Sequence, residues 1–275
     1  MKIDMEIVCV GNELLIGKVV NTNASWLGKR GTSLGLSVKR ITVVADVVEE
    51  MTTVFREVLS RKPKFVIITG GLGPTFDDKT LEGIAKALNR ELSINREALD
   101  FVRAKYADYA KTSDAGNVLT PARVKMAKIP QGAIPLRNPI GTAPAVCINL
   151  ENTVLISLPG VPREMEAIFE EYVVPRLRQA VGDVGFFELS LYANNIMESV
   201  LAPLIDAVMR DNPLVYIKSH PKGREDQPHI ELHLSTSGEP AKNPQQLLAK
   251  AAVQLSVLIE RANGEVVKLE SQGRV

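Results

Sequence analysis

Two aspartates follow a run of glycines early in this chain, and these residue types together suit the binding of a phosphate group. Gly70, Gly71 and Gly73 have no Cβ, so their backbone N–H groups can converge on an anion. Asp77 and Asp78 follow at the place where the counter-ion of that anion would lie. The pattern therefore indicates a phosphate held together with a divalent metal ion, such as Mg²⁺, Mn²⁺ or Co²⁺.

The same segment has another interpretation, and two nucleotide motifs do not match it. Asp78 precedes the apolar Leu81 and Ile84 in the way of a helix N-cap, and acids near a helix start are favoured by the helix dipole. Phe76 occupies the position of the third glycine in G-x-G-x-x-G. Asp78-Lys79-Thr80 stands where a P-loop has Gly-Lys-Thr. A dehydrogenase and a P-loop NTPase are therefore disfavoured.

The elements before this loop predict a parallel sheet. Glu6–Val10, Val38–Val44 and Phe65–Thr69 have strand patterns, and helical patterns lie between them. This β-α-β-α-β order predicts right-handed crossovers with helices on both faces of the sheet. Ligands of such sheets bind at the carboxyl edge of the strands. The loops that begin at Gly11 and Gly70 both emerge at this edge.

The remainder of the chain divides into two regions. Asn138–Pro144 is rich in proline and predicts a structured loop, and Val154–Leu158 resumes the sheet. From about residue 181 the order β-α-β-β-α predicts a small α+β domain. We therefore expect two domains, residues 1–178 and 179–275. Gly182–Gly185 resembles the G-x-x-G clamp of nucleic-acid-binding KH modules, but it precedes a strand, so RNA binding is disfavoured.

Composition limits the partners and the chemistry. The net charge of +1 gives no general attraction to nucleic acid or to an anionic membrane, and no apolar stretch approaches the length of a membrane span. We expect a soluble, cytoplasmic protein. Cys9 and Cys147 lie in apolar runs and predict buried structural thiols. His229 and His233 lie in a strand pattern, which separates their side chains by about 13 Å, too far to bind one metal ion.

Four segments together resemble the CinA family of competence/damage-inducible proteins, whose first domain is related to the MoaB/MogA molybdopterin-binding enzymes. They cover much of the first 175 residues, and the order of elements after them is similar to the KH-like domain of that family. The segments are Gly11–Gly17 with Asn21-Thr22-Asn23, Thr69–Thr80, Asn138–Pro144, and Leu158–Met165.

The resemblance implies a three-layer αβα domain with a mostly parallel sheet, followed by a small α+β, KH-like domain. It also implies metal-dependent hydrolysis of the pyrophosphate in an ADP-containing dinucleotide, of the ADP-ribose or FAD class, and a homodimer. The chain ends before the amidohydrolase domain that many members carry, so no such activity is expected. Ala145 replaces a glycine that is usual in the family, and its methyl group is expected to affect the approach of the ligand.

Within this interpretation, Asp78, Asp77 and Glu13 are the expected catalytic and metal-binding residues. The amides of Gly70, Gly71 and Gly73 and the hydroxyl of Thr75 are expected to hold a phosphate, and Lys79 to neutralise charge on the leaving group. The further expected substrate contacts are Thr80, Asn21, Asn23, Asn138, Gly141, Thr142, Pro159 and Gly160. Asn21 and Asn23 are also typical of helix caps.

Two other functions stay open on sequence grounds. Molybdopterin binding with transfer of AMP would use a similar glycine loop and acids, because both reactions attack phosphorus in an anhydride. A non-catalytic nucleotide-binding module would hold the nucleotide and leave it intact.

Overall fold

The structure is a computed structural model that describes residues 3–111, 118–182, 184–223 and 228–272. The chain divides into two compact units. The first contains Met1–Gly31 and Leu36–Ala180, and the second contains Thr32–Gly35 and Val181–Val275. The boundary expected from the sequence lay between residues 178 and 179.

The first unit is built on a six-stranded sheet of order β2-β1-β3-β8-β7-β6, with a separate pair β4-β5. Its strands are β1 (Asp4–Val10), β2 (Ser37–Val44), β3 (Phe65–Thr69), β4 (Leu92–Ile94), β5 (Lys128–Pro130), β6 (Ile134–Leu136), β7 (Ala145–Asn149) and β8 (Val154–Leu158). β2, β1, β3 and β8 are parallel, whereas β7 and β6 run antiparallel to their neighbours. The predicted mostly parallel sheet is confirmed.

Helices of the first unit connect these strands. They are α1 (Asn12–Leu15), α2 (Thr22–Ser33), α3 (Val48–Ser60), α4 (Thr80–Ala87), α5 (Arg96–Ala110), α6 (Pro121–Lys125), α7 (Pro162–Ile168), a π-helical turn (Phe169–Val173) and α8 (Val174–Val181). Asn95 caps α5 by accepting a hydrogen bond from the Ala98 amide at 3.0 Å. Apolar side chains on one face of α3 drive its packing, because Met51, Phe55 and Val58 are all buried.

Both faces of this sheet are covered, as the three-layer prediction requires. Val66 and Ile68 on β3 belong to one buried cluster with Phe55 of α3 and Ile84 of α4. Ile67 points to the opposite face, because successive strand residues alternate, and it is also fully buried. A strand that is buried on both sides is hydrophobic along its whole length, which explains the uninterrupted apolar run that β3 shows in the sequence.

The strand register brings five loops to one edge of the sheet. Val10 pairs with Val44, and Thr69 pairs with both Cys9 and Leu158, so the parallel strands end level with one another. The antiparallel β7 begins at the same edge, where Val146 pairs with Ser157 near the end of β8. The loops that follow β1, β2, β3 and β8, and the loop that precedes β7, therefore meet at the carboxyl edge.

The second unit is an antiparallel four-stranded sheet of order β10-β11-β9-β12 with two helices. Its elements are β9 (Gly185–Asn194), α9 (Glu198–Asp211), β10 (Tyr216–Pro221), β11 (His229–Gly238), a 3₁₀ turn (Pro240–Lys242), α10 (Pro244–Arg261) and β12 (Glu265–Gln272). Leu191 and Leu232 pack with Leu201 of α9 and Leu255 of α10 in one buried cluster. The predicted α+β domain is confirmed, and β12 was not predicted. Asp183 of the Gly182–Gly185 segment lies outside the described residues.

The predicted burial of both cysteines and the predicted strand at His229 and His233 are confirmed. Both cysteines are free and buried, and burial raises the pKa of each thiol. His229 and His233 lie on β11, where the His229 ring stacks on Tyr192 with centroids 5.4 Å apart. Within the described part of the chain, no helix is both long and apolar enough to cross a bilayer.

Candidate functional site

A cavity of about 450 Å³ opens at the carboxyl edge of the first unit's sheet. Its walls come from the loops that follow β1, β2, β3 and β8 and from the loop before β7. The structure therefore brings most of the predicted site residues to one place. Those that line the cavity are Glu13, Asn21, Asn23, Gly70, Gly71, Gly73, Asp77, Asp78, Thr142, Pro159 and Gly160.

The glycine loop after β3 needs glycine for steric reasons. Gly70 has a φ of 107°, and a Cβ on this residue would lie 2.3 Å from the Val10 carbonyl oxygen. Gly70 also donates its N–H to the Leu158 carbonyl at 3.1 Å, so the prediction that this amide binds a phosphate is wrong. The amides of Gly71 and Gly73 make no hydrogen bond within the described residues. They remain available to an anion.

The two aspartates of this loop converge on one hydroxyl group. Thr75 Oγ1 lies 2.5 Å from Asp77 Oδ1 and 2.5 Å from Asp78 Oδ2, and the Thr75 amide donates to Asp78 Oδ2 at 2.8 Å. The hydrogen bond from Thr75 is the main reason why the pKa of Asp77 is lowered. The alternative in which Asp78 caps a helix is wrong, because α4 begins at Thr80 with Lys79 at the N-cap.

Three predicted phosphate contacts, Thr75, Lys79 and Thr80, do not line the cavity. Thr80 is fully buried, and its hydroxyl donates to the Gly70 carbonyl at 2.8 Å while its amide donates to the Gly71 carbonyl at 3.2 Å. Lys79 lies at the N-cap of α4, outside the cavity wall. Thr75 is likewise outside the wall and contacts the ligand region only through Asp77 and Asp78.

Asp46 also lines the cavity, and sequence reasoning missed it. Its Oδ2 accepts from the Asn12 amide at 2.8 Å, and its own amide donates to Asn12 Oδ1 at 3.3 Å. Burial raises the pKa of Asp46, and the carboxylates of Glu13, Asp77 and Asp78 raise it further. The sequence feature that could have identified Asp46 was its position two residues after β2, at the same edge of the sheet as the glycine loop.

The described charged side chains of the cavity wall are all acidic. Glu164 of α7 also lines it, next to the predicted loop at Pro159 and Gly160. The wall therefore carries five carboxylates, and none of its described residues is Lys, Arg or His. The five acids are Glu13, Asp46, Asp77, Asp78 and Glu164. Within the described residues, however, no three Asp, Glu, His or Cys side chains are already gathered closely enough to hold a metal ion.

Asn138 shapes its loop, and its amide group is fully used in doing so. Asn138 is buried; its Nδ2 donates to the Ala143 carbonyl at 2.9 Å and to Glu164 Oε2 at 2.7 Å. Its Oδ1 accepts from the amides of Ile140 and Gly141 at 3.0 and 2.7 Å. The structure thus does not place Asn138 or Gly141 against the cavity, whereas Thr142 of the same loop lines it.

Ala145 lies away from this cavity. It is fully buried in β7, where it pairs with Leu136 of β6, and it is not part of the cavity wall. The expected effect of its methyl group on the approach of a ligand therefore finds no support in the geometry.

Asn21 and Asn23 connect α2 to the site. Asn21 Oδ1 accepts from the Ala24 amide at 3.0 Å, as expected of a helix cap. Asn23 Nδ2 donates to Thr69 Oγ1 at 3.1 Å and to the Gly160 carbonyl at 2.8 Å. Asn23 Oδ1 is buried without a partner in the described residues. Asn23 therefore bridges the end of β3 and the loop after β8 by hydrogen bonds, and its Oδ1 is left without a hydrogen-bond donor among the described residues.

Lys125 of α6 supports the glycine loop from outside, and the sequence carried no local signal for it. Its ammonium group donates a hydrogen bond to the Thr75 carbonyl. Burial lowers the pKa of Lys125, and the nearby carboxylates of Asp78 and Asp77 oppose that change. Lys125 therefore brings a positive charge close to both aspartates without entering the cavity wall.

Part of the cavity wall is apolar. Leu14, Val19 and Val20 line it after β1, and Val20 is 80% exposed. Ile16 is 75% exposed but does not line the cavity. An aliphatic surface this open to solvent, beside polar groups that suit a phosphate, is typical of a wall against which a ligand ring packs.

Comparison with known proteins agrees with this arrangement. Residues 6–179 match the model of the MoCF_biosynth family, described as a probable molybdopterin binding domain. The chain belongs to this family. The MoCF_biosynth match covers nearly all of the strands that form the cavity edge, from β1 to β8.

Relatives extend the similarity beyond the MoCF_biosynth region. A protein of Pyrobaculum calidifontis is 48% identical over 255 residues, which are 92% of this chain and 94% of that protein. A protein of Metallosphaera sedula is 40% identical over 267 residues, 97% of this chain and 98% of that protein. Among solved structures, the protein CinA of Thermoplasma acidophilum, whose function is described as unknown, is 42% identical with a TM-score of 0.56. The match covers 62% of this chain and 95% of that chain. The resemblance to CinA is confirmed.

Proposed function

We propose that the cavity binds the diphosphate of an ADP-containing dinucleotide, of the ADP-ribose or FAD class, and hydrolyses it to AMP and a second phosphorylated product. The reaction depends on a divalent metal ion. One observation carries the proposal: free amides of a glycine loop and five carboxylates share one cavity whose described wall has no basic side chain.

This charge distribution supports a metal-dependent ligand. A diphosphate brought against five carboxylates is repelled unless a cation lies between them, because like charges interact unfavourably at short range. Burial is the main cause of the raised pKa of Asp46, and the neighbouring carboxylates of Glu13, Asp77 and Asp78 add to it. All the candidate ligands are oxygen atoms, which Mg²⁺ and Mn²⁺ prefer. The donor atoms of these residues therefore suit a divalent ion, although no three of the described carboxylates are already gathered closely enough to hold one.

Asp78, Asp77, Glu13 and Asp46 are the residues that would hold this ion. When bound, it would neutralise the phosphate oxygens and make the phosphorus more electrophilic. Gly71 and Gly73 donate their free amides to a phosphate oxygen, a contact that grows stronger as negative charge develops during attack.

The protein also supplies a position for the attacking water. Asp78 uses Oδ2 to accept from Thr75, and its Oδ1 takes no hydrogen bond within the described residues. Oδ1 can therefore orient a water molecule and accept its proton. Burial raises the pKa of the Cys9 thiol in the cavity wall, so a cysteine nucleophile is not part of the proposal.

The apolar wall accounts for the adenosine part of the substrate. Val19 and Val20 present methyl groups on the open side of the cavity, where the flat face of a base can pack.

The direct test is an incubation of the purified protein with ADP-ribose, FAD and NADH, each with Mg²⁺, Mn²⁺ or Co²⁺, followed by chromatography for AMP. We expect AMP from at least one dinucleotide and none when EDTA replaces the metal. Absence of AMP from all three substrates with all three metals would reject the proposal.

A second candidate function follows from the description of the matched family. Molybdopterin binding with AMP transfer uses the same kinds of groups, and residues 6–179 match a probable molybdopterin binding domain. Supplying ATP and molybdopterin and measuring the adenylated product separates the two reactions. A nucleotide-binding module without catalysis would bind ADP-ribose and return it unchanged. The homodimer, the cytoplasmic location and the absence of nucleic-acid and membrane partners stay predictions.

A further inference from the structure

A second cavity, of about 260 Å³, adjoins the first through Thr142 and lies within the same unit. Helix α5 forms one wall, and the loop before β7 forms the other. The lining residues are Phe101, Ala104, Lys105 and Asp108 on α5, and Arg137, Asn138, Gly141 and Thr142 on the loop. Asn138 and Gly141, which do not line the first cavity, therefore line the second.

The charge of the second cavity is opposite to that of the first. Asp108 is already paired, because its Oδ1 accepts from Lys111 Nζ at 2.8 Å, and this contact is the main cause of its lowered pKa. Lys105 and Arg137 also lower the pKa of Asp108, but neither forms an ion pair with an acid within the described residues, so the two cations of the cavity outnumber its one carboxylate. Arg137 is exposed and makes no hydrogen bond or ion pair within the part of the chain that the structure describes.

The walls of this cavity are held in place by hydrogen bonds within the protein. Lys105 Nζ donates to the Pro139 carbonyl at 2.8 Å, which leaves two of its three N–H groups for a ligand. The Tyr109 hydroxyl donates to the Ile140 carbonyl at 3.3 Å. Asn138 uses its whole amide group in hydrogen bonds to its own loop and to Glu164 of α7. An anion would therefore enter a cavity that is already formed.

We infer that the second cavity is an anion site that takes a phosphate monoester on Arg137 and Lys105 without a metal ion. A guanidinium fork matches two phosphate oxygens, and a lysine ammonium adds a third donor. Phe101 supplies an apolar wall for the organic part of the ligand. The inference rests on the proposed function for its choice of ligand, because hydrolysis of a dinucleotide diphosphate produces phosphate monoesters.

The test uses calorimetric titration of the full chain with ribose 5-phosphate and with inorganic phosphate, in EDTA. Arg137→Ala is expected to weaken binding of both probes at least about tenfold, because it removes the fork and one of the two charges. Arg103→Ala is the matched control. Arg103 lies exposed on α5, pairs with Asp100 at 2.6 Å and does not line the cavity, so binding should stay within about twofold.

Two results would overturn the inference. Equal affinity in wild type and Arg137→Ala would remove Arg137 from the site, and binding that appears only when a divalent metal is added would place the probe in the acidic cavity. Because the titration needs neither metal nor turnover, its outcome is independent of whether the protein hydrolyses dinucleotides.

Kinetics with ADP-ribose identify the source of the monoester. A raised KM for ADP-ribose in Arg137→Ala would mean that part of the substrate itself occupies the site. An unchanged KM with weaker inhibition by ribose 5-phosphate would mean that the site holds a separate molecule, such as the product. Both results support an anion site at Arg137, and no change in either KM or inhibition would contradict it.

Discussion

Replacing Asp78 by asparagine and by alanine separates its charge from its contribution to the shape of the glycine loop. Asp78 Oδ2 accepts from the Thr75 amide at 2.8 Å and contacts the Thr75 hydroxyl at 2.5 Å. Asparagine keeps a carbonyl oxygen that can accept from this amide but removes the negative charge. Alanine removes both the acceptor and the charge.

The expected effects on stability differ between the two variants. A hydrogen bond to a charged group contributes about 1.5 to 3 kcal/mol, and the exposed position of Thr75 favours the lower end of this range. Asp78→Ala should therefore lower the free energy of unfolding by about 1.5 kcal/mol. This corresponds to a fall in Tm of roughly 3 to 6 °C. Asp78→Asn should change Tm by less, since it retains the acceptor.

The expected effects on turnover are the same for both variants. If the charge of Asp78 holds the metal ion or the attacking water, each substitution should lower the rate of AMP release at least about 100-fold. Initial rates with ADP-ribose and FAD in Mg²⁺, Mn²⁺ and Co²⁺ measure this, with Tm recorded in parallel. Asp100→Asn, an exposed acid on α5 outside the cavity, is the control and should match wild type.

An asparagine variant that releases AMP within about threefold of wild type would refute this reasoning. It would mean that Asp78 only shapes the loop, and the proposed catalytic and metal-binding role of this residue would be withdrawn.

Three further outcomes follow from particular contacts. Val20→Asp should weaken AMP binding at least about tenfold in a calorimetric titration, because it removes an apolar contact for the base. The control is Ile16→Asp, which is similarly exposed but lies outside the cavity wall and should leave binding unchanged. Equal effects of the two substitutions would exclude packing of the adenosine against Val20. Arg61→Met leaves the buried carboxylate of Glu6 unpaired, because Arg61 contacts both of its oxygens at 2.6 and 2.8 Å. Urea unfolding should show that the free energy of unfolding falls by about 3 to 5 kcal/mol. The double variant Arg61→Met, Glu6→Gln should recover part of this loss. Asn95→Ala removes the cap of α5 and should cost about 1 kcal/mol in the same assay, and no loss would show that the cap does not stabilise the helix.

The sheet and the edge that carries the cavity could be predicted from the sequence because their signals are local. The apolar run of β3, Phe65–Thr69, and that of β8, Val154–Leu158, match the observed strands. The rule that parallel strands present ligands at their carboxyl ends then located the glycine loop correctly. Asp46, two residues after β2, follows the same rule.

The parts that were missed depend on contacts between distant residues. Gly70 looked free to bind a phosphate because nothing nearby in sequence shows that its amide pairs with Leu158 of β8. Asn138 looked available to a ligand, but Glu164, whose carboxylate accepts its amide proton, comes 26 residues later. β12 was missed because charged residues interrupt its apolar pattern, and it forms by pairing with β9 at the other end of the second unit's sequence.

The most direct test of the acidic cavity is the metal dependence of nucleotide binding in the absence of turnover. The measurement is a calorimetric titration of the protein with α,β-methylene-ADP, whose diphosphate bridge resists hydrolysis, once in Mn²⁺ and once in EDTA. Because five carboxylates line the cavity with no basic residue among its described lining residues, we expect binding at least about tenfold tighter in Mn²⁺. Equal affinity in the two buffers would contradict the central claim that a cation joins the diphosphate to these acids.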